Sequence, residues 1–308
     1  MLRRALILLL LLTGPGLAQP VTPPVENVTV TGARTRQAIE GFVQSLAVPT
    51  HVTGKIARWE DGICPTLVGL KREFAGFIVK RVKDVAARTG APVNAKPDCA
   101  PNIAIVFTTA PQALIDNVKK KTPGLLGYYD NRDQLDKLAT VTRPIQAWYT
   151  TATRDLRGNV EIDGGKTAGT GLDITYACGA PQEGMCTLHL SNAHGASVTG
   201  NRLGDGMRST LYNVVIVANP DRLVDDEMGT LADIIAMLAL AQVNTPDACQ
   251  TLPSILNLLA SGCAGKSNAL TANDLGYLTA LYRMSPDRSV QVQRGEMTYQ
   301  MQQSLGVK

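Results

Sequence analysis

The chain has 308 residues, with 30 Lys or Arg against 26 Asp or Glu, so its formal net charge is +4. This near balance does not favour a nucleic-acid-binding protein. The one dense basic run, Lys119–Lys121, has no interleaved aromatic residues and is typical of a solvated helix end. Beyond the N-terminus, no stretch is apolar over the roughly 20 residues that cross a bilayer. We therefore expect no nucleic-acid partner and no transmembrane span.

The N-terminus has the organisation of a secretory signal peptide. Two arginines precede an apolar run at residues 5–12, and small residues at Gly16 and Ala18 fit cleavage before Gln19. An uncleaved anchor is the alternative, but the run is about half as long as a membrane span. We predict a signal peptide at residues 1–18 and a secreted or periplasmic protein.

An extended N-terminal linker is predicted over residues 19–45. Residues 19–26 are rich in proline, and residues 28–36 have the composition of an exposed or edge strand. The remaining residues, 46–308, show no internal repeat and no interior linker. They are enough for one sizeable core, so we predict a single α+β domain with a mixed sheet, packed helices and a helical C-terminal third.

Helix and strand patterns alternate along this domain. In chain order, the predicted elements are a short strand at 55–59, a helix at 68–88 with Gly90 as its C-cap, a strand at 102–108, a helix at 111–121, strands at 144–151 and 212–218, and helices at 225–242, 252–259 and 271–282. Thr271 and Asp274 have the chemistry of an N-cap and a first helical turn.

All six cysteines follow the predicted leader, which indicates up to three disulfides in an oxidising compartment. Six cysteines allow fifteen connectivities. Cys178 and Cys186 flank a turn-rich loop, and Cys249 and Cys263 bracket a short apolar segment, so local bridges are expected at both places. That leaves Cys64 with Cys99 by elimination.

The helix predicted at 225–242 is the most informative segment. On a helical wheel, one side carries Leu231, Ile234, Ile235, Leu238 and Gln242, and the other carries Ala232, Asp233 and Ala236. In a His-Glu-x-x-His helix, the two histidines and the glutamate occupy the first, fifth and second positions of a face turned to the cleft. Here those positions hold Ala232, Ala236 and Asp233, so we expect these three residues to face solvent.

The segments around this helix follow an order that can be compared with known protein families. The strand ending at residue 220 leads into the helix, a loop with Ser254-Ile255 follows, and the segment 270–286 reads Leu-Thr-Ala-Asn-Asp-Leu-Gly-Tyr-Leu-Thr-Ala-Leu-Tyr-Arg-Met-Ser-Pro. This order resembles a metzincin-like family of secreted bacterial proteins of unknown function. The resemblance implies a zincin-like fold and a location in the bacterial envelope. It also implies that residues 232–240 keep the apolar frame of the protease motif without its histidines.

The absence of zinc-binding histidines from this helix determines the chemistry that we expect. Zinc needs at least three side-chain ligands to activate water, and the only histidines are His51, His189 and His194, none of them in this helix. We expect no metal and no cofactor, and we assign no catalytic residue beyond Asp233 as a weak candidate.

The favoured functional hypothesis is an exported, non-catalytic protein whose degenerate protease-like fold binds an unidentified protein or peptide in the cell envelope. The alternative is an envelope hydrolase with an unrecognised metal-independent site, to which Asp233 would contribute.

Overall fold

The computed structural model describes residues 32–163, 172–177, 185–190, 206–223, 227–243 and 248–307. Within these ranges the chain forms a single α+β domain. Its helices are α1 (Gly32–Leu46), α2 (Arg72–Thr89), α3 (Pro111–Lys121), α4 (Arg132–Leu138), α5 (Met228–Leu240), α6 (Ala272–Arg283) and α7 (Val290–Ser304). Its strands are β1 (Pro65–Val68), β2 (Ile103–Phe107), β3 (Ile145–Arg154), β4 (Val160–Ile162), β5 (Leu172–Ala177), β6 (Met185–Leu190) and β7 (Arg208–Ala218).

The main sheet is mixed, in the order β1-β2-β7-β3-β4. Strands β1, β2 and β7 run parallel, with Ile103 opposite Val214. Strand β3 runs antiparallel to β7, with Ile145 opposite Ala218, and β4 pairs antiparallel with the far end of β3. Strands β5 and β6 form a separate antiparallel pair.

Side-chain alternation divides the core into two layers, one on each face of the sheet. On β7, Val214 and Ile216 point into the larger layer, formed with α1, α2, α5, α6 and α7, whereas Val215 and Val217 point into the smaller layer with α3 and α4. Because strand side chains alternate between faces, a continuous apolar run covers both faces of a buried strand. The sheet is therefore covered on both sides.

Several predicted elements agree closely with the structure. The helix at 111–121 matches α3, and the strands at 102–108, 144–151 and 212–218 correspond to β2, β3 and β7. Gly90 ends α2 at a φ of 88°, a left-handed conformation that glycine adopts without a Cβ clash. Thr271 and Asp274 form a reciprocal capping box at the start of α6.

The linker predicted at 19–45 is wrong over its second half. Residues 32–46 form α1. The strand predicted at 28–36 is therefore wrong from residue 32 onward. The domain begins before residue 46, where its start was predicted. Ile39, Phe42, Val43 and Leu46 are buried and recur at the spacing of one helical face. That periodicity was present in the sequence. The signal peptide and residues 19–31 lie outside the described residues.

Two further predictions need correction. The helix predicted at 252–259 is only a 3-10 turn at Ile255–Leu258, which leads into a loop closed by a disulfide. The helix at 68–88 was predicted from apolar spacing that includes Phe74 and Phe77, but both are exposed on α2, and its buried residues are Ile78, Val82, Val85, Ala86 and Thr89. Among the described helices, none has the length and apolar character of a membrane span.

Candidate functional site

Helix α5 is buried on all sides, so the predicted solvent-facing side is wrong. Ala232 and Ala236 have no exposed surface, and Asp233 is 3% exposed. From Thr230 to Leu240 every residue is buried. A helix that is apolar all round is an interior helix, and alanine is small enough to pack tightly against a neighbouring helix. Here that neighbour is α2.

The carboxylate of Asp233 is held by two donors. Arg81 of α2 donates through Nε to Oδ1 at 2.5 Å, and the backbone N–H of Leu270 donates to Oδ2 at 3.0 Å. The hydrogen bond to Asp233 raises the pKa of Arg81. Both carboxylate oxygens are therefore engaged, and Asp233 joins α5 to α2 and to the segment that precedes α6. This arrangement is a structural clamp.

Two of the three expected disulfides lie in the described part of the chain. Cys64 bonds to Cys99, and Cys249 bonds to Cys263, as predicted. Of the expected pair Cys178–Cys186, Cys178 lies outside the described residues. Disulfides are typical of proteins that fold in an oxidising compartment, so the two bridges are consistent with an exported protein.

The histidines do not assemble into a described metal site. His51 is exposed, and its ring stacks on that of Tyr128, with centroids 5.0 Å apart and planes inclined by 12°. His189 lies on β6 and His194 falls outside the described residues. Within the described ranges, no three His, Cys, Asp or Glu side chains lie close enough together to hold a metal ion.

A cleft of about 350 Å³ lies beside β3. Residues 145–149 all line it. Because successive strand side chains point to opposite faces, a cleft that meets five consecutive residues faces the edge of the strand. The C-terminal end of α5 and residues 242–243 form one wall, and residues 126–128 with the end of α4 form the other.

The backbone of β3 offers hydrogen-bonding groups to this cleft. On the side of β7, the carbonyl of Pro144 accepts from Asn219 N–H at 2.8 Å. The backbone N–H and C=O groups of the even-numbered residues at this end of β3 therefore face β7. On the outer side, the carbonyl of Thr151 accepts from Asp163 N–H at 2.9 Å. Residues 145, 147 and 149 therefore direct their N–H and C=O groups outward. No described strand pairs with them, because β4 pairs only from Ala152 onward.

The walls combine apolar and polar groups. Leu126, Leu238 and Val243 supply apolar surface, and Tyr149 forms part of the floor. The Tyr149 hydroxyl is buried and makes no hydrogen bond of standard geometry with a described residue. Burial raises its pKa above the usual range, although the nearby backbone of Val243 offsets part of this effect.

The described lining of the cleft includes basic side chains. His51, Lys137 and Arg143 line it, and no Asp or Glu is among the described lining residues. Two carboxylates contact residues of the lining: Asp130 accepts from Tyr128 Oη at 2.7 Å, and Asp163 accepts from the hydroxyls of Thr151 and Thr153. The described part of the cleft therefore combines basic side chains with an open strand edge.

Comparisons of this chain with protein-family models, with curated proteins and with solved structures find no match. The cleft was also missed in the sequence, although β3 itself was predicted. Pro144, which breaks the pattern just before the strand, marks where β3 begins. Nothing local indicates that β3 would lie beside β7 with its other edge open, since strand order is a long-range property.

Proposed function

We propose that this chain is an exported, non-catalytic binding protein that accepts an extended peptide segment of another protein as an added strand on β3. The observation that carries the proposal is the set of outward N–H and C=O groups at residues 145 and 147, which face the cleft, whereas the outward carbonyl of Tyr149 already lies against Gly127. An unpaired strand edge is a template for pairing with another chain. Addition of a strand supplies affinity through the main chain and specificity through side-chain pockets.

The shape of the cleft favours a peptide. It follows the strand over at least five residues, and its walls lie on the two opposite faces of the sheet. An added strand would direct alternate side chains toward these two walls. The wall beside α5 is mainly apolar, and the other wall carries the His51–Tyr128 stack and the end of α4.

The binding role is proposed without catalysis. Asp233 was the one carboxylate that the metzincin-like resemblance placed at the position of a general base, and both of its oxygens are engaged within the fold. A degenerate zincin-like origin is compatible with this role, because α5 then contributes a wall of the cleft and no metal ligands. The N-terminal leader pattern and the two disulfides support a location in the bacterial envelope.

The decisive experiment is an N-methyl scan of a bound peptide. A fluorescein-labelled random octapeptide pool with blocked ends is selected on the immobilised full-length mature protein, and the best binder is resynthesised with one N-methyl group at each position in turn. Pairing along one strand edge uses the N–H of every second residue. We expect N-methylation to weaken binding at alternate positions by about tenfold, the equivalent of one lost hydrogen bond at the upper end of its usual range. Equal sensitivity at every position, or no binder in the pool, would contradict the proposal.

A matched pair of variants tests the same contact from the protein side. Ala147→Pro removes an outward N–H and places the proline ring in the cleft, a substitution that edge strands tolerate. Ala147→Ser keeps the N–H and a small side chain. We expect the proline variant to lose at least about tenfold in affinity and the serine variant to bind as the parent does, with far-UV circular dichroism unchanged in both. Equal affinity of the two variants would count against strand addition at β3.

A further inference from the structure

We infer that the strand added to β3 carries one large aliphatic side chain, such as leucine, which lies between Ala147 and the α5 wall of the cleft. This inference rests on the proposed function, because it assigns the side-chain chemistry of the peptide that the same strand edge accepts. It is carried by a step in side-chain size along β3 and by the apolar wall that faces this step.

The step in size lies at Ala147. Ile145, Ala147 and Tyr149 all point toward the larger core layer, because strand side chains alternate between the two faces of the sheet. Ile145 and Tyr149 are buried, whereas Ala147 between them is partly exposed. A methyl group between two large side chains leaves a gap on this face of the strand. The gap opens into the cleft, because Ala147 belongs to the lining.

The wall that faces this gap is aliphatic. The cleft is lined here by Leu238 near the C-terminal end of α5, by Val243, and by Leu259 just after the 3-10 turn. Leu238 and Val243 belong to the larger core layer, and Leu259 is partly buried against it. An apolar side chain that covers this wall removes apolar surface from water on both partners, which favours binding.

Pairing with β3 brings one residue of the added strand to the gap. In an antiparallel pair, the residue directly opposite Ala147 points to the same face of the sheet, with the two Cβ atoms about 4.5–5.5 Å apart. The residue opposite Ile145 also points to this face, but it meets a large side chain instead of a gap. One aliphatic anchor is therefore expected.

The residues on either side of the anchor meet different surroundings. Because successive strand side chains point to opposite faces, these two residues point toward the wall that Tyr128 and Lys137 line. Polar side chains fit beside a phenol hydroxyl and an ammonium group. The lining therefore selects an extended segment with one aliphatic residue between two polar ones.

The test uses the best binder from the octapeptide pool, with Leu, Ala or Asn placed at each position in turn. Leucine and asparagine are similar in size and shape, so their comparison isolates apolar character. We expect one position at which Leu binds at least about tenfold more tightly than Ala or Asn. At the two adjacent positions we expect no such preference.

Three protein variants locate the origin of the preference. Ala147→Ile keeps the N–H and fills the gap with the protein's own side chain, so the Leu and Ala peptides should bind alike. Leu259→Ala shortens the wall without altering the strand edge and should lower the Leu preference by about threefold. Ala113→Ile is the matched control. It makes the same substitution on the exposed surface of α3, outside the described lining of the cleft, and should keep the full preference.

The outcomes separate the two proposals. If the N-methyl scan shows its alternation but Leu, Ala and Asn bind alike at every position, strand addition stands and the aliphatic assignment is overturned. If the Leu preference persists undiminished in both Ala147→Ile and Leu259→Ala, this pocket does not cause it, and the assignment is again wrong. If the N-methyl scan shows no alternation, the proposed function fails and this inference fails with it.

Discussion

The side chains of Arg81 and Asp233 join two helices of the larger core layer, because Arg81 projects from α2 and Asp233 lies in the first half of α5. The pair is asymmetric. The Arg81 side chain is 40% exposed and the Asp233 side chain is 4% exposed. A carboxylate so deeply buried depends on its partner, since an unpaired charge in the interior is costly.

Loss of the Asp233 charge should therefore destabilise the protein. Asp233→Asn removes the ion pair and leaves an amide facing the donors Arg81 and Leu270 N–H, one of which loses its acceptor. We expect a loss of about 1–3 kcal/mol in the free energy of unfolding. This loss is smaller than for a fully buried ion pair, because solvent reaches the Arg81 side chain. Urea unfolding measures it. The control is Asp84→Asn, which breaks the exposed pair with Lys80 and should cost less than about 0.5 kcal/mol. Similar losses in the two variants would refute the clamp.

The buried tyrosines Tyr149 and Tyr282 should respond differently to loss of the hydroxyl. Tyr282 Oη donates to the carbonyl of Leu240 at 2.6 Å, whereas the Tyr149 hydroxyl has no partner of standard geometry among the described residues. Removal of an unsatisfied buried polar atom is neutral or favourable, but removal of a hydrogen bond costs about 0.5–1.5 kcal/mol. Thermal melts should show Tyr149→Phe at or above the parent and Tyr282→Phe below it. The reverse order would show that the Tyr149 hydroxyl is hydrogen-bonded in solution.

The two described disulfides should each contribute to stability, with the larger loop contributing more. Their sequence separations are 35 residues for Cys64–Cys99 and 14 for Cys249–Cys263. Loop-closure entropy then gives losses of about 4 and about 3 kcal/mol for the paired Cys→Ala variants. Unfolding curves of the two double variants provide the comparison. Thiol titration of the unreduced, denatured parent should find no free thiol at these four positions, and a labelled Cys64 or Cys249 would contradict the bridges.

The stability of the protein should depend on pH through Asp163. Burial raises the pKa of this carboxyl above 3.8, although hydrogen bonds from Thr151 and Thr153 act against the shift. The folded state therefore holds the proton more tightly than the unfolded chain. The free energy of unfolding from this group falls as the pH rises from 3.8 through the raised pKa, and it recovers on acidification. In urea titrations between about pH 4 and pH 7, the stability of the parent relative to Asp163→Asn should increase as the pH falls.

Asp155 provides a control of opposite sign. Hydrogen bonds, first from the side chain of Asn159, lower its pKa below 3.8. Its stabilising contribution is present above the unfolded pKa and is lost as the pH falls through the lowered value. The parent should therefore lose stability relative to Asp155→Asn on acidification. If both variants track the parent at every pH, neither carboxyl has a shifted pKa in the folded protein.

Local patterns in the sequence were enough to predict much of the secondary structure. Helix α3 begins at Pro111 because a proline at the first turn loses no hydrogen bond, and α2 ends at Gly90 because glycine adopts a left-handed φ. The capping box of Thr271 and Asp274 is equally local. The two described cysteine pairs were also predictable, Cys249–Cys263 from its short separation and Cys64–Cys99 by elimination.

Tertiary structure alone decided which surfaces are buried and where the cleft lies. On the helical wheel of α5, large apolar residues lie on one side and Ala232, Asp233 and Ala236 on the other. The second side is nevertheless buried, because alanine packs against a neighbouring helix as readily as leucine does. Arg81, which lies 152 residues earlier in the chain, supplies the countercharge for Asp233. Likewise, β3 was recognisable as a strand, but its open edge depends on the order of β7, β3 and β4 in the sheet. Strand order and helix contacts are set by interactions between distant segments, and no local pattern of residues encodes them.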